Sequence, residues 1–304
     1  MTRGYVSTWG NVVGLKTAEE YVKSLRALKV NAYIGGEKVE HPIDHPMVAP
    51  HVNAVAKTYE LANMPEHQDT MTAISHITGE RVHRHCHISL NNEDLVKKLE
   101  MMRLVGQVTG TCFQRCVGLD ALNATYASTF DTDAKHGTAY HERFKKYLAY
   151  VQDNDLMLSG GMTDPKGHRG KRPADQEDPD QFVRVVERRE DGVVIRGCKV
   201  HNTGGINAHE ILVLPGTQLQ EDEKDYAIAC AIPMDAPGVL LIYGRQTNDE
   251  RKMIGSGVDV GNRRFGSVGG EVMCIFEDVF VPTDRIFMNG ETDMIGSMVN
   301  NFAT

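Results

Sequence analysis

The chain has 304 residues, of which 41% are hydrophobic and 24% are charged, a composition typical of a globular protein. Its formal net charge of −8 disfavours nucleic acid as a partner, because an acidic surface repels phosphate. No apolar run approaches the roughly 20 residues that span a bilayer and no secretory signal is visible, so we expect a cytoplasmic protein. Six cysteines in a chain this long argue against a disulfide scaffold and leave thiols available as metal ligands.

The first half of the chain has the spacing of amphipathic helices. Thr17, followed by acidic residues and an apolar series, resembles the N-cap of a first helix. Apolar residues spaced three and four apart over 93–130 predict a long helix with one apolar face, which Gly106 and Gly110 can bend or break. A further helix is predicted over 140–152.

Beyond residue 158 the pattern changes to that of strands. The β-branched runs 182–187 and 193–199, joined by a turn that ends in Gly192, predict a hairpin. After Pro282 the apolar spacing becomes helical again. Four more short strands, separated by prolines, are predicted at 210–214, 226–231, 239–243 and 272–276.

These elements predict an α+β protein in three parts. Residues 1–157 form a helical domain, residues 158–287 a β domain, and residues 288–304 the start of a second helical domain. The chain stops at Thr304 inside this last helix, without a cap or a polar tail, so we expect a C-terminally truncated sequence.

Cys112 and Cys116 form the most informative pair of residues for chemistry. On a continuous helix, residues four apart lie on one face about 6 Å apart, so two thiolates can hold two corners of a [4Fe–4S] cube. Both cysteines also lie on the apolar face of the predicted helix, and buried free cysteine is common in protein cores. The spacing alone favours the core interpretation, because it is not that of the usual ferredoxins.

The segment His83-Arg84-His85-Cys86-His87 resembles a metal site in its composition. Neighbouring residues of a strand alternate between its two faces, so these side chains do not all converge on one ion. A structural or surface role is favoured, and we assign the segment no function.

Polar residues at the predicted domain boundary form a second candidate site. The loop 162–170 carries hydrogen-bonding groups that suit a planar heterocycle, and it is equally compatible with a plain turn. His201 and Thr203 follow a strand, and Glu271 begins another, although most such glutamates are solvated. The chain lacks the Gly-x-Gly-x-x-Gly and Walker patterns, which disfavours a Rossmann-type nucleotide site.

Together these segments resemble the 4-hydroxybutyryl-CoA dehydratase family, within a larger flavoprotein group that includes 4-hydroxyphenylacetate 3-monooxygenase. The resemblance covers nearly the whole chain from Thr17 onward. The paired cysteines are its specific part, because the monooxygenases of the group use no iron–sulfur cluster. The segments that carry it are 44–47 (Asp-His-Pro-Met), 112–118, 162–170, 243–246 (Tyr-Gly-Arg-Gln) and 279–287.

The resemblance implies the fold of acyl-CoA dehydrogenases, with a C-terminal helical bundle that also drives the formation of a homotetramer. It implies that Cys112 and Cys116 ligate a [4Fe–4S] cluster, together with a histidine and a third cysteine beyond residue 304. It also implies FAD against the β domain, with Thr203 donating toward the flavin ring, while His168 departs from an acidic residue of the family. The implied FAD-binding residues are Met162, Thr163, Asp164, Pro165, Lys166, Arg169, His201 and Thr203.

The reaction that the resemblance implies is the dehydration of 4-hydroxybutyryl-CoA to crotonyl-CoA, with isomerisation of vinylacetyl-CoA. In that chemistry a base takes the C2 proton, flavin removes one electron, the C3 proton becomes acidic, and cluster iron acts as a Lewis acid on the C4 hydroxyl. Gln114 is expected to face the substrate, and Glu271 to take part in proton transfer. Two alternatives stay open, a flavin-dependent aromatic hydroxylase on the same fold and a non-catalytic fragment.

Overall fold

A computed structural model of the protein describes residues 14–244, 264–265 and 270–302. Within these ranges helices prevail in the first half of the chain and strands in the second, which confirms a mixed α and β protein. None of the helices described there is long and apolar enough to cross a membrane. Arg245 and Gln246, which belong to the segments that carry the resemblance, lie outside the described residues.

The helices begin where the sequence provides caps. The side chain of Thr17 accepts a hydrogen bond from the Glu20 backbone N–H, and the Glu20 carboxylate accepts one from the Thr17 N–H, so the predicted first helix starts with a capping box. The helices predicted over 140–152 and after Pro282 are also confirmed. The described α-helices are α1 (Ala18–Arg26), α2 (Ala49–Ala62), α3 (Gln68–Met71), α4 (Asn92–Thr109), α5 (Cys116–His136), α6 (Tyr140–Asp153) and α7 (Ile295–Phe302).

The single long helix predicted over 93–130 is wrong, because two helices occupy that stretch. α4 ends at Gly110, whose left-handed backbone (φ +64°) is the conformation that glycine tolerates at the end of a helix. α5 then begins at Cys116. Three apolar side chains of α4 that the single-helix pattern places inside, Leu95, Leu99 and Val108, are exposed.

Two sheets and one short two-stranded ribbon contain the strands. The described strands are β1 (Ala32–Ile34), β2 (Glu37–Val39), β3 (Thr72–Ile74), β4 (Arg81–His83), β5 (Leu158–Gly161), β6 (Arg184–Arg189), β7 (Gly192–Asn202), β8 (Glu210–Val213), β9 (Ile228–Pro233), β10 (Val239–Tyr243), β11 (Val272–Pro282) and β12 (Ile286–Asn289). The larger sheet has the order β2-β1-β10-β11-β7-β6, and the smaller one has the order β12-β9-β8-β5.

The predicted hairpin is confirmed by the antiparallel pairing of β6 with β7. The four other predicted strands correspond to β8, β9, β10 and β11, and β11 continues beyond the predicted run as far as Pro282. The remaining strands are too short to show a period in the sequence. Two of these, β1 and β2, come from the N-terminal region and join the larger sheet through the parallel pairing of β1 with β10. The N-terminal region is therefore not purely helical, and the three-domain division stays a prediction.

The smaller sheet lies in the middle of three layers. Ile211 and Ile232 on one of its faces share an apolar core with the larger sheet. Leu212 on its other face shares a second core with α5, α6 and α7. α5 approaches the sheet closely because Gly118 carries no side chain: a Cβ placed there would lie 2.5 Å from the Leu158 carbonyl oxygen of β5. The start of α5, with Cys116, is thereby fixed beside β5.

Candidate functional site

Both cysteines lie in residues 111–116, a mostly irregular segment that we call the thiol connector. Cys112 lies in the connector and Cys116 is the first residue of α5, so the prediction that both occupy one continuous helix is wrong. The backbone nevertheless folds back so that the Cys112 and Cys116 thiols are joined by a hydrogen bond. This bond, with burial as the second cause, raises the pKa of the Cys116 thiol.

Gln114 lies between the two cysteines and has a left-handed backbone, with φ +66°. This conformation, uncommon for a residue with a side chain, turns the carboxamide inward, where it is completely buried. Its Nε2 donates to the backbone oxygen of His51 at 3.2 Å. Its Oε1 is buried and has no hydrogen-bond partner among the described residues, so an acceptor is available at this point for a donor from a ligand.

Thr203 and Glu271 meet just beyond the paired ends of β7 and β11. The Thr203 hydroxyl donates to Glu271 Oε1 at 2.9 Å. Burial raises the pKa of the half-buried Glu271 carboxyl, while the hydrogen bond from Thr203 and the charge of His201 oppose that rise. Thr203 is predicted to donate toward a flavin ring, but in this structure its one hydroxyl proton is directed to Glu271.

The turn after Thr203 connects this pair to the thiol connector. Gly204 has φ +70°, and a Cβ placed on it would lie 3.0 Å from Gln114 Cβ. The absence of a side chain at Gly204 therefore lets the turn pack directly on Gln114. Gln114 of the thiol connector is thus brought next to the turn that follows Thr203, whose hydroxyl is bonded to Glu271.

A cleft of about 480 Å³ opens where the chain leaves β5. Ligand pockets commonly have volumes of this order. Six of the eight residues predicted to bind FAD line it, namely Met162, Thr163, Asp164, Pro165, Lys166 and Arg169, as does His168. His201 and Thr203 are not part of its lining. We call residues 162–169 the cleft wall.

The cleft wall is attached to the larger sheet by a buried ion pair that the sequence did not reveal. Lys199 Nζ donates to Asp164 Oδ1 at 2.5 Å and to the Met162 backbone oxygen at 3.1 Å. Burial raises the pKa of the Asp164 carboxyl, and the positive charge of Lys199 opposes the rise. The Oδ1 of Asp164, predicted as a cofactor contact, is thus occupied by Lys199. The signal in the sequence was a single lysine within an apolar strand.

The residues present fit a flavin better than they fit a complete cluster. The volume of the cleft lies in the range of ligand pockets. At its border the backbone of Gly216 packs against the Met162 carbonyl oxygen, because a Cβ on Gly216 would lie only 2.1 Å from that oxygen. The two thiols fit as two ligands of a cluster. Across the described ranges, no group of three or more His, Cys, Asp or Glu side chains is placed to hold a metal ion.

The segment His83–His87 is buried in a hydrogen-bonded network. His83 Nε2 donates to the Thr58 backbone oxygen at 3.2 Å, and the two Nδ1 atoms of His83 and His85 lie 3.2 Å apart. Burial lowers the pKa of both imidazoles well below the usual value, so both are neutral at pH 7. These contacts are structural and agree with the structural interpretation of the segment.

Comparisons with known proteins show which family this fold and this arrangement of residues belong to. The chain belongs to the family described as 4-hydroxyphenylacetate 3-hydroxylase N terminal, whose model matches residues 17–288. Within that family it is 50% identical, over 95% of its own length, to the 4-hydroxybutyryl-CoA dehydratase/vinylacetyl-CoA-Delta-isomerase of Clostridium aminobutyricum.

Among solved structures, a dehydratase resembles this chain more closely than a monooxygenase does. An oxygen-tolerant 4-hydroxybutyryl-CoA dehydratase from N. maritimus superposes with a TM-score of 0.90 at 47% identity, covering 95% of this chain and 57% of that one. The oxygenase component of 4-hydroxyphenylacetate 3-monooxygenase, solved with FAD, superposes with a TM-score of 0.78 at 28% identity, again over 95% of this chain and 57% of that one. The chain spans 59% of the length of the Clostridium relative.

Proposed function

We propose that this chain forms the flavin-binding part, and half of the metal site, of a 4-hydroxybutyryl-CoA dehydratase that also isomerises vinylacetyl-CoA. The observation that carries the proposal is the contact between the Cys112 and Cys116 thiols in the segment whose Gln114 packs against the turn at Gly204. An aromatic hydroxylase needs no paired thiols at this position. The 50% identity to a dehydratase, against 28% to an FAD-bound monooxygenase, supports the same choice.

FAD is the cofactor that we assign to the cleft. Lys166 and Arg169 are exposed at its mouth and offer two positive charges to a pyrophosphate. Backbone groups of Met162–Pro165 would hold the flavin end, and Thr203 and His201 would approach it from the end of β7. When bound, FAD supplies one-electron redox chemistry.

A [4Fe–4S] cluster is the group that we assign to the thiol pair. Cys112 and Cys116 would bind two of its corners as thiolates, and the hydrogen bond between the thiols shows that their sulfur atoms already approach each other. When bound, the cluster supplies a Lewis acid. The other two corners need ligands from outside the described residues.

The protein's own groups would bind the substrate and move its protons. Glu271 is the proposed acid–base group, because burial raises the pKa of its carboxyl toward the range in which proton transfer is efficient at neutral pH. Thr203 orients that carboxylate through the 2.9 Å hydrogen bond. The unpaired Oε1 of Gln114 would accept a hydrogen bond from the substrate.

The organisation of the whole protein follows as part of the same proposal. We assign residues 1–157 to a helical domain, 158–287 to a β domain and 288–304 to the start of a second helical domain. We further propose an acyl-CoA dehydrogenase-like arrangement, a homotetramer and a cytoplasmic location. These assignments depend on the family resemblance.

The test is turnover with and without the part of the Clostridium relative that this chain does not cover. The chain alone, reconstituted anaerobically with FAD, iron and sulfide, is expected to give no crotonyl-CoA from 4-hydroxybutyryl-CoA. Supplying the remaining part of the relative, as a fusion that we call the complemented protein, is expected to restore turnover. A complemented protein that hydroxylates phenols with reduced flavin and oxygen, and does not dehydrate the CoA ester, would show that the monooxygenase alternative is correct.

A further inference from the structure

Arg115, which lies between the two cysteines, is one of the largest completely enclosed side chains of the described residues. Its guanidinium lies over the Tyr59 ring, 4.2 Å from the centroid. Nη2 lies 3.2 Å from Asp155 Oδ1 in an ion pair with both side chains 2% exposed, and Nη1 donates to Thr58 Oγ1 at 3.2 Å. A buried cation held on three sides occupies one position only.

The partner of Arg115 is itself rigidly held. Asp155 has φ +37°, an uncommon backbone conformation for a residue with a side chain, in the turn between α6 and β5. Its Oδ2 accepts from the Lys16 backbone N–H at 3.1 Å, and its backbone oxygen accepts from the Tyr59 hydroxyl at 3.0 Å. Arg115 thus links the thiol connector to α2 and to the start of β5.

The backbone of Arg115 transmits this fixed position in both directions. Its N–H donates to the Phe113 backbone oxygen at 2.9 Å, on the side of Cys112. Its carbonyl oxygen accepts from Leu119 N–H at 3.2 Å in the first turn of α5, on the side of Cys116. A connector without such an anchor would leave the two sulfur atoms free to separate, because an irregular loop has many accessible conformations.

We propose that Arg115 is a positioning residue that holds the Cys112 and Cys116 thiols in contact before any metal binds. The side chain of Arg115 donates hydrogen bonds to Thr58, Cys86, Asp155 and Leu156. It acts on Cys112 and Cys116 through the backbone on either side of it. What the thiols bind depends on the proposed function, but their preorganisation does not. The geometry of the thiol pair therefore depends on a buried ion pair that does not line the cleft.

The experiment measures the thiol pair in the metal-free chain with phenylarsine oxide, whose arsenic forms two As–S bonds with neighbouring thiols and releases water. All variants carry Cys198→Ser, which removes the thiol that interacts electrostatically with Cys274. Cys112→Ser in this background defines binding without the pair. Arg115→Met removes the charge, and Arg115→Lys keeps the charge without the planar fork of donors.

The control is a second ion pair, between the partly buried Arg285 and the buried Glu210. Arg285 Nη1 donates to Glu210 Oε2 at 2.7 Å, and Tyr147 and Tyr150 donate to the same carboxylate. Arg285→Met breaks this pair without touching the thiol connector. Circular dichroism melting of each variant sets a temperature at which all of them are folded.

Arg115→Met is expected to weaken arsenical binding at least about tenfold, the range seen when groups that orient metal ligands are removed. Arg115→Lys is expected to lie between Arg115→Met and the parent, and Arg285→Met within about twofold of the parent. If Arg115→Met does not fold, Arg115→Lys and Asp155→Asn replace it, with the same expected direction. Folded variants of Arg115 that bind the arsenical as the parent does would overturn the proposal. Iron-free complemented protein with the expected arsenical pattern would leave this inference standing and refute the cluster.

Discussion

The thiol connector and the cleft wall both lie beside β5, yet they are built in opposite ways. The connector has irregular backbone whose central side chains, Gln114 and Arg115, are completely buried. The cleft wall is a loop whose polar side chains, including Lys166 and Arg169, project into solvent, with the Lys199–Asp164 pair as its buried attachment. Metal ligands must be fixed to within a fraction of an ångström, whereas a large cofactor can be bound by side chains that become ordered around it.

This difference predicts that substitutions of the connector thiols abolish iron and sulfide binding, whereas single substitutions in the cleft wall weaken FAD binding only in part. Removing both thiols tests the prediction for the connector. Cys112→Ser with Cys116→Ser in the complemented protein is expected to abolish iron and sulfide binding and to lower turnover by at least roughly 100-fold. Flavin absorbance should persist, because the cleft is separate. Cys198→Ser serves as the control, and normal iron content in the double variant would contradict the assignment.

Glu271 belongs to neither region, since it is held by Thr203 beyond the ends of β7 and β11, and its substitution should affect chemistry without affecting either cofactor. Glu271→Gln removes the titrating group, and we expect turnover to fall by about 10²- to 10⁴-fold, the usual contribution of a general acid or base. Flavin and iron content should be unchanged. Glu277→Gln, an exposed carboxylate on β11, is the matched control. Equal turnover of the two variants would remove Glu271 from the mechanism.

The cleft wall is expected to respond in smaller steps. Lys166→Ala and Arg169→Ala should each weaken FAD binding about tenfold, since a hydrogen bond to a charged group contributes about 1.5–3 kcal/mol. Neither should change the melting temperature much, because both side chains are exposed. Fluorescence titration with FAD measures the effect, with Lys23→Ala on α1 as control. Unchanged affinity in both variants would place the pyrophosphate elsewhere.

Substitution of Thr203 should produce the smallest change, a shift in the pH dependence of turnover. The hydrogen bond from Thr203 lowers the pKa of the Glu271 carboxyl, against the rise caused by burial. Thr203→Val removes the donor, so the pKa rises further and the carboxylate forms only at higher pH. The acid limb of the pH–rate profile is therefore expected to move to higher pH, whereas Thr203→Ser should leave it in place. A limb that moves to lower pH would mean that Thr203 does not donate to Glu271.

Much of the fold could be predicted from the sequence because long elements repeat a period. The capping box at Thr17, the helix over 140–152 and the hairpin at Gly192 each carry a local signal that decides the structure. The prediction of one long helix over 93–130 was wrong because the apolar spacing continues across the break between two helices. The first of them ends at Gly110. β1 and β5 were missed because strands of three or four residues show no period, and their existence depends on partners distant in sequence.

For the candidate site, the family resemblance rather than any local pattern suggested the thiols, Gln114 and the cleft wall, and their roles stay predictions. The sequence did not point to Arg115 and Lys199, whose roles depend on burial and on partners far along the chain. A charged residue within an apolar run indicates that the charge is buried and paired, but it does not identify the residue with which it pairs.

The most direct test of the account is the iron, labile sulfide and flavin content of the complemented protein, prepared without air. We expect about four iron and four sulfide atoms for each FAD, and loss of the iron and sulfide alone when both thiols are replaced by serine. A protein that retains FAD and contains neither iron nor sulfide would contradict the central claim that the paired thiols hold a cluster beside the flavin.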